Sequence, residues 1–378
     1  MARKLRSDRL LFIATFLLVC GSVAMVYSAS AVIAMQRYGQ DFVFLFKQVT
    51  WAALGLLLVR FLMRVDYRHY RQPVVIWTML GLVSLALIAV LFGPKINGTR
   101  RWFGVAGIGV QPSEFAKITA VFFTAALLEQ RLERVNDWRH ALAPILLMVS
   151  MLAGLIVLEP DFGTALSLVA TIGVMVFAAG LSYRYLVMVA GFAIPGVALA
   201  VLAAPYRIQR VLTFLDPWKD PQGSGFQIIQ SLYAVGTGGL TGRGLMNGVQ
   251  KMFYLPEPHT DFIYAVISEE LGLVGATAIL LCFAVIAWRG LAISLRAPDR
   301  FGTFLALGLT TMIVLQALVN ISVVLGLMPT KGIPLPFVSA GGSSLLINLA
   351  ATGILLNVSQ HALGRSRSEN GHRLEVGG

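Results

Sequence analysis

The sequence predicts an all-α polytopic membrane protein of about ten transmembrane helices, with a long extracytoplasmic loop between helices 7 and 8. Three observations carry this. Hydrophobic residues make up 57% of the 378 residues and charged residues 13%, against about 25% charged in an ordinary soluble domain, and mean hydropathy is +0.77. Apolar runs of about 17 residues or more recur along the chain, each long enough to cross hydrocarbon. Alternate connections between those runs carry arginine. One bundle takes up residues 1–364, so a division into soluble domains by length is excluded. Residues 365–378 are expected to be an unordered cytoplasmic tail.

Taken in order, the expected spans are 10–31, 42–63, 74–92, 113–128, 141–158, 163–181, 185–202, 262–288, 302–326 and 341–360. The first follows Arg3, Lys4, Arg6 and Arg9 and ends in Ser28-Ala29-Ser30, a pattern shared with secretory signal peptides. Its apolar run is longer than a signal core, so it is expected to stay as an uncleaved helix. The fifth and sixth spans are separated by a very short connection around Glu159, Pro160 and Asp161. The two cysteines, Cys20 and Cys282, both fall inside apolar runs, which indicates small buried hydrophobes and no disulfide framework.

Basic residues set the orientation. With the amino terminus inside, the cytoplasmic segments hold Arg3, Lys4, Arg6 and Arg9; Arg64, Arg68 and Arg71; Arg131, Arg134 and Arg139; Arg184; Arg289, Arg296 and Arg300; and Arg365, Arg367 and Arg373. Both termini therefore face the cytoplasm. Two outer segments break the rule. Residues 93–112 carry Lys95, Arg100 and Arg101, and residues 203–260 carry Arg207, Arg210, Lys219, Arg243 and Lys251. Positive charge on the unfavoured face points to anion binding there. The net charge of +12 is thus divided between topology and a fixed-cation site, and nothing in it calls for nucleic acid. The long outer segment is Gly-rich, and its stretch 226–235 is amphipathic, as if lying along the interface. No repeat of fixed period is present.

The stretch YLPEPHTDFIYAVISEELG, residues 254–272, runs a polar turn into an apolar span. An ionised Asp costs about 2.5–3.5 kcal/mol to insert into hydrocarbon. Asp261 at the boundary is either a helix cap or a chemical group: a general base on a hydroxyl, or the holder of a divalent cation. His259 beside it reads as structural. Glu269 and Glu270 point about 100° apart on a helix, so at least one is expected to pair with a basic group elsewhere in the bundle. Glu114 and Lys117, three apart, can form a local ion pair, or Lys117 can form the floor of a cavity beneath Arg100 and Arg101. Arg207 and Arg210 could clamp phosphate, since Arg suits bidentate contact and Lys point-charge contact. The loop 328–337 has three prolines and a Gly, so it is not helical and must line a wet cavity or be buried in protein. Lys331 is its one strong charge. Gly341-Gly342-Ser343-Ser344 allows close helix approach. No metal-ligand spacing, P-loop or Rossmann fingerprint is present.

Four stretches carry a resemblance: NGTRRWFGVAGIGVQPSEFAK, YRIQRVLTFLDPWKDPQGSGFQIIQSL, VQKMFYLPEPHTDFIYAVISEELGL and MPTKGIPLPFVSAGGSSLL. They resemble the SEDS family (shape, elongation, division and sporulation) over the whole chain. The QK-x-x-YLPE lead into HTDF and the PTKG turn are more similar to its division branch, typified by FtsW, than to its elongation branch, typified by RodA. The resemblance implies a peptidoglycan glycosyltransferase that polymerises lipid II, an undecaprenyl-pyrophosphate-linked disaccharide–peptide, at the outer face of the cytoplasmic membrane. It places the family's essential Asp on Asp261. Its Arg before Trp falls on Arg101, followed by Trp102, and its motif lysines on Lys117 and Lys331. Glu114, Glu270, His259 and Ser343 are expected to support the site. The family also implies a class B penicillin-binding transpeptidase and other division proteins as partners, and location at the division septum. No cofactor is fixed, though a divalent cation (Mg or Mn) on Asp261 is compatible with the pattern. Ala340 departs from the family's usual Tyr. A lipid II flippase is the alternative from another class, and a scaffold for division proteins is a third.

Overall fold

The computed structural model describes residues 7–95, 99–105, 108–202, 204–252 and 254–375. Arg3, Lys4 and Arg6 of the expected topogenic cluster lie outside them. The order is α1 (Arg9–Tyr38), α2 (Val43–Leu62), α3 (Pro73–Leu91), a hairpin β1–β2 (Phe103–Val105 and Ile108–Val110), α4 (Pro112–Arg131), α5 (Ala143–Leu158), α6 (Phe162–Ala178), α7 (Tyr183–Leu202), α8 (Pro205–Leu215), α9 (Phe226–Gly238), α10 (Ile263–Leu295), α11 (Arg300–Val324) and α12 (Gly342–Glu375). In the hairpin Phe103 faces Val110 and Val105 faces Ile108, antiparallel.

Local signals explain the boundaries. Asp8, Asp161 and Asp299 cap α1, α6 and α11 by accepting backbone N–H bonds from Leu11, Thr164 and Gly302. Each satisfies a donor that a helix start leaves free. Pro73, Pro112 and Pro205 open α3, α4 and α8, where a missing N–H is harmless.

Seven helices among the described residues are long and apolar enough to cross a membrane, counting α5 with the turn that precedes it. Helices α4, α6 and α7 also coincide with expected spans; α4 does not meet that measure, α6 is apolar but shorter, and several side chains of α7 lie outside the described residues. The reason for α4 is its place in the bundle. It packs against α3, α6 and α11, and Glu114 and Lys117 are buried in it along with most of its other residues. A helix enclosed by protein need not be uniformly apolar. The outward faces of α1, α2, α3 and α10 expose large apolar side chains, among them Phe16, Leu17, Leu57, Phe61, Leu85, Leu281 and Trp288, as lipid-facing helices do.

Residues 203–260, expected to be one long loop, are largely structured. Helix α9 buries Ile228, Ile229, Ser231 and Ala234 and packs on α10 and α11, so its amphipathic pattern faces protein. The Gly-rich stretch after it wraps a break in α10 at Gly272, where φ is 63° and ψ −160°. There the amides of Arg243 and Gly244 donate to the carbonyls of Glu269 and Glu270, at 3.0 Å each. The amides of Leu273 and Val274 donate to the carbonyls of Gly239 and Leu240, at 2.9 and 3.2 Å. Four backbone groups at the break, the carbonyls of Glu269 and Glu270 and the amides of Leu273 and Val274, are thus re-paired, as broken helices in a bilayer require. A Cβ on Gly242 would lie 2.1 Å from the Glu270 carbonyl oxygen, so only glycine fits.

The expected unordered tail is helical in backbone as far as Glu375, since α12 simply continues. Its last three residues, 376–378, and the side chains of Arg365, Arg367 and Arg373 lie outside what is described.

Candidate active site

Helices α1, α4, α8, α10 and α12 and two connecting segments meet at one end of the bundle around a cavity of about 770 Å³, within the usual range for small-molecule sites. Arg37 comes from the end of α1, Arg101 and Trp102 precede β1, and Gln111 leads into α4. Arg210 lies on α8, Asp261 just before α10, Lys331 between α11 and α12, and Ser344 at the start of α12. An adjoining, mainly apolar cavity of about 220 Å³ runs between α6, α7 and α8. It shares Arg101, Arg210 and Lys331 with the first and adds Arg207.

Asp261 is held by its backbone. Asn320 of α11 donates from Nδ2 to the Asp261 carbonyl at 2.8 Å and to the Ile333 carbonyl at 2.7 Å. Ser339 Oγ donates to the Thr260 carbonyl at 2.5 Å, and the Ala340 amide donates to the His259 carbonyl at 2.9 Å. The proline-rich loop and the segment before α10 are therefore stitched together. The cap alternative for Asp261 is not realised: α10 begins at Ile263, after Phe262 with no side-chain cap. The Asp261 carboxylate makes no hydrogen bond or ion pair among the described residues. Burial raises its pKa to about 7, with help from Glu257 and Asp161 and against the pull of Arg210 and Arg101. An acid titrating near neutrality is suited to proton transfer.

The cations differ in how firmly they are placed. Arg101 donates from Nε to the Glu159 carbonyl at 2.8 Å and from Nη2 to the Pro160 carbonyl, where the last carbonyls of α5 favour positive charge. Arg210 reaches the Thr330 carbonyl at 3.3 Å. Arg207 lies over the Phe162 and Tyr206 rings, with its guanidinium carbon 5.4 Å from each centroid. Lys331 Nζ stands 5.3 Å from the Phe162 centroid, and burial and Arg210 lower its pKa. Trp102 forms cavity wall.

Lys117 is a correction. It is not the cavity floor: Nζ is buried and binds Glu114 Oε1 at 3.0 Å and Gln316 Oε1 at 2.6 Å. Gln316 in turn donates to the Pro334 carbonyl at 2.9 Å, so Lys117 acts through the wall. Arg100 turns away to the Leu91 carbonyl. Glu114 and Ser343 are buried supports, Ser343 accepting from the Gln111 amide at 3.4 Å. Both paired glutamates of α10 are engaged away from the cavity. Glu270 meets Lys251 at 2.6 Å, and Glu269 meets Arg243 at 3.6 Å. Ala340 lines the cavity, where a small side chain leaves room.

The sequence reading passed over four residues here. Arg37 lies near the end of α1, in a basic position that the expected topology would also disfavour, and lines the cavity. Glu257 lines the cavity from a residue at φ 50°, a strained conformation of the kind concentrated at functional sites. Asp161, read as part of a turn, accepts from Gln111 Nε2 at 2.9 Å and from Thr164. Beside it Glu159 is fully buried, and burial followed by Asp161 raises its pKa to about 8, against the opposing pull of Arg101.

Among the described residues no three His, Cys, Asp or Glu come together as a metal-ligand set.

The family model for cell cycle proteins of the FtsW, RodA and SpoVE group matches residues 8–363. Stage V sporulation protein E of Bacillus subtilis is 46% identical over 365 residues, covering 95% of this chain and 99% of that protein. A Geobacter metallireducens protein named as a probable peptidoglycan glycosyltransferase FtsW is 42% identical over 361 residues, covering 95% and 96%. A chain from a structure of a peptidoglycan synthase complex, described as coordinating polymerization and crosslinking, superposes with a TM-score of 0.78 at 34% identity, covering 95% of this chain and 99% of that one. The rod shape determining protein RodA of Thermus thermophilus superposes with a TM-score of 0.69 at 28% identity, covering 94% and 97%. With the family model spanning nearly the full length and relatives this similar, the chain belongs to the SEDS family, the FtsW/RodA/SpoVE group of cell cycle proteins.

Proposed function

We propose that this chain is a peptidoglycan glycosyltransferase that polymerises lipid II at the outer face of the cytoplasmic membrane. The single observation that carries it is an unpaired carboxylate, Asp261, facing a cavity walled by Arg37, Arg101, Arg210 and Lys331. A sugar–pyrophosphate lipid needs cations at headgroup level, an apolar slot for its tail and a base at the same height. The cavity between α6, α7 and α8 adjoins the cations and supplies the slot. The bundle crosses the membrane ten times, with α4, α6 and α7 among the crossings and both termini cytoplasmic. The alternation of basic connections supports that topology.

Asp261 takes the proton from the 4-hydroxyl of the acceptor N-acetylglucosamine. The freed oxygen attacks the anomeric carbon of the donor N-acetylmuramic acid with inversion. The bond from that carbon to the pyrophosphate oxygen breaks, and undecaprenyl pyrophosphate leaves with the electron pair. Arg101, Arg210 and Lys331 meet its charge, and Arg207 flanks them, the electrostatic contribution that is usually largest. Lys117 and Glu114 hold the wall and do not touch substrate. A Mg²⁺ or Mn²⁺ ion, when bound, would supply further charge neutralisation. Asp261 would be the residue that holds it.

The named relatives are FtsW and SpoVE proteins, which supports the division branch and a place at the septum. The similarity to a chain of a peptidoglycan synthase complex supports a class B penicillin-binding transpeptidase as partner, alongside other division proteins. A flippase needs access from both faces, whereas the cavity residues come from connecting segments, helix ends and the short helix α8 gathered at one end of the bundle.

Glycan polymerisation from lipid II by the purified protein with its transpeptidase is the test. Asp261→Ala abolishes product while the folded protein is retained. Full activity in that variant ends the assignment. Adding a chelator to the same assay decides the cation.

A further inference from the structure

Beyond the site around Asp261, a second cavity of about 790 Å³ opens between the end of α1, the start of α2 and residues 255–259. It joins the main one, since Arg37, Pro256 and Glu257 line both. We propose that this second cavity is the subsite for the acceptor saccharide, the N-acetylglucosamine end whose hydroxyl attacks; the assignment rests on the glycosyltransferase reading above.

Charge and stereochemistry support it together. The side of Asp261 toward α6 and α8 gathers Arg101, Arg207, Arg210 and Lys331, and a departing pyrophosphate belongs there. Inversion requires the attacking oxygen to approach the anomeric carbon from the face opposite the leaving oxygen. The acceptor therefore enters from the side away from the cations, which is the side of α1 and α2. That cavity is built for a sugar and not for a diphosphate. Among the described residues its one cation, Arg37, stands with one carboxylate, Glu257.

The walls are aromatic. Phe44 lies 4.6 Å from the His259 ring, and Tyr38 meets Phe44 edge-on at 6.0 Å. The C–H faces of a pyranose pack on such rings while their polar tips reach hydroxyls. His259 is 7% exposed, and its Nδ1 has no hydrogen-bond partner among the described residues. Burial lowers its pKa, Glu257 opposing and Arg37 adding to the effect, so a neutral ring offers both a donor and an acceptor. Arg37 likewise makes no hydrogen bond or ion pair among the described residues. The strained φ of 50° at Glu257 holds its side chain on the wall common to both cavities.

The test uses the full chain with its transpeptidase and two substrates, each locked in one role. The donor is lipid II whose N-acetylglucosamine 4-hydroxyl is epimerised, so it cannot accept. The acceptor is a lipid II analogue with a C-glycoside at the anomeric position, so it cannot donate. Arg37→Gln and Phe44→Ala raise the acceptor KM about tenfold and leave the donor KM within about twofold, the signature of lost binding to one substrate. Arg210→Gln does the reverse. Phe44→Leu, which keeps the apolar volume, folds like the parent and still weakens the acceptor. An unchanged acceptor KM in Arg37→Gln and Phe44→Leu, or an equal rise for both substrates, overturns the subsite. Absence of transfer by the unaltered protein overturns instead the glycosyltransferase reading on which it rests.

Discussion

Gly332 lies directly against Asp261: a Cβ at position 332 would stand 2.9 Å from Asp261 Oδ2. The Asn320 amide that donates to both the Asp261 and Ile333 carbonyls fixes this approach. The carboxylate is thus positioned by a loop some seventy residues away in sequence, and glycine keeps the space beside it open.

Gly332→Ala is expected to lower polymerisation by about tenfold or more, because a shift of the reacting groups by a fraction of an ångström is costly in rate. The thermal midpoint should barely move, since the added methyl lies at a cavity wall. Rate and midpoint measured on one preparation check this; unaltered turnover would show that the contact does not matter.

The pH dependence follows from Asp261 titrating at about 7. Below that value the acid is protonated and cannot accept a proton, so turnover should fall about tenfold per unit of pH and level off above about 8. Stability runs the other way. A folded pKa above the unfolded one means that the native state binds more protons between roughly pH 4 and 7, so this group's contribution is intact at low pH and lost as pH rises through about 7. Asp261→Asn should therefore be more stable than the parent at pH 8 and indistinguishable from it at pH 4.

The two ion pairs around the α10 break should behave differently. Lys251 and Glu270 are both buried, with Ser28 Oγ also bonded to each. Lys251→Met leaves an uncompensated buried carboxylate, which costs about 3–5 kcal/mol. Arg243, the partner of Glu269, is exposed, and Arg243→Ala should cost no more than about 1 kcal/mol. Glu269 keeps the Val249 and Gln250 amides in that variant. Detergent-phase unfolding curves of the two variants would separate them, and equal losses would contradict the contrast.

Lys117→Ala is expected to act through folding. It strands Glu114 in the interior and frees Gln316, so the thermal midpoint should drop together with activity. A Lys117→Met, Glu114→Leu pair should recover the midpoint, because a buried ion pair is often replaceable by apolar packing. Loss of lipid II binding in that pair with full stability would instead make Lys117 a substrate contact.

Much of the architecture could be read along the chain, because each span must pair its own backbone and show apolar side chains to lipid. Helices coincide with the ten expected stretches; Arg101 and Arg210 were singled out by charge in segments where the expected topology disfavours it, and Lys331 as the one strong charge of the proline-rich loop. Proximity in three dimensions was not legible. Lys117 reads like Lys331 in sequence, yet α4 lies inside the bundle and Glu114 and Gln316 engage it there. The Gly-rich stretch reads as loop, yet it re-pairs the backbone of a broken helix.

By itself, then, the order of residues determined a many-spanning helical protein with positive charge misplaced toward one face and a carboxylate at the start of a span, since hydropathy and charge act locally and leave a local record. Only tertiary structure decided which cations share a wall with Asp261, that Gly332 and Asn320 set its place, and that a second chamber opens beside Arg37. Those facts depend on segments hundreds of residues apart being packed together, and packing distances have no expression in a one-dimensional pattern.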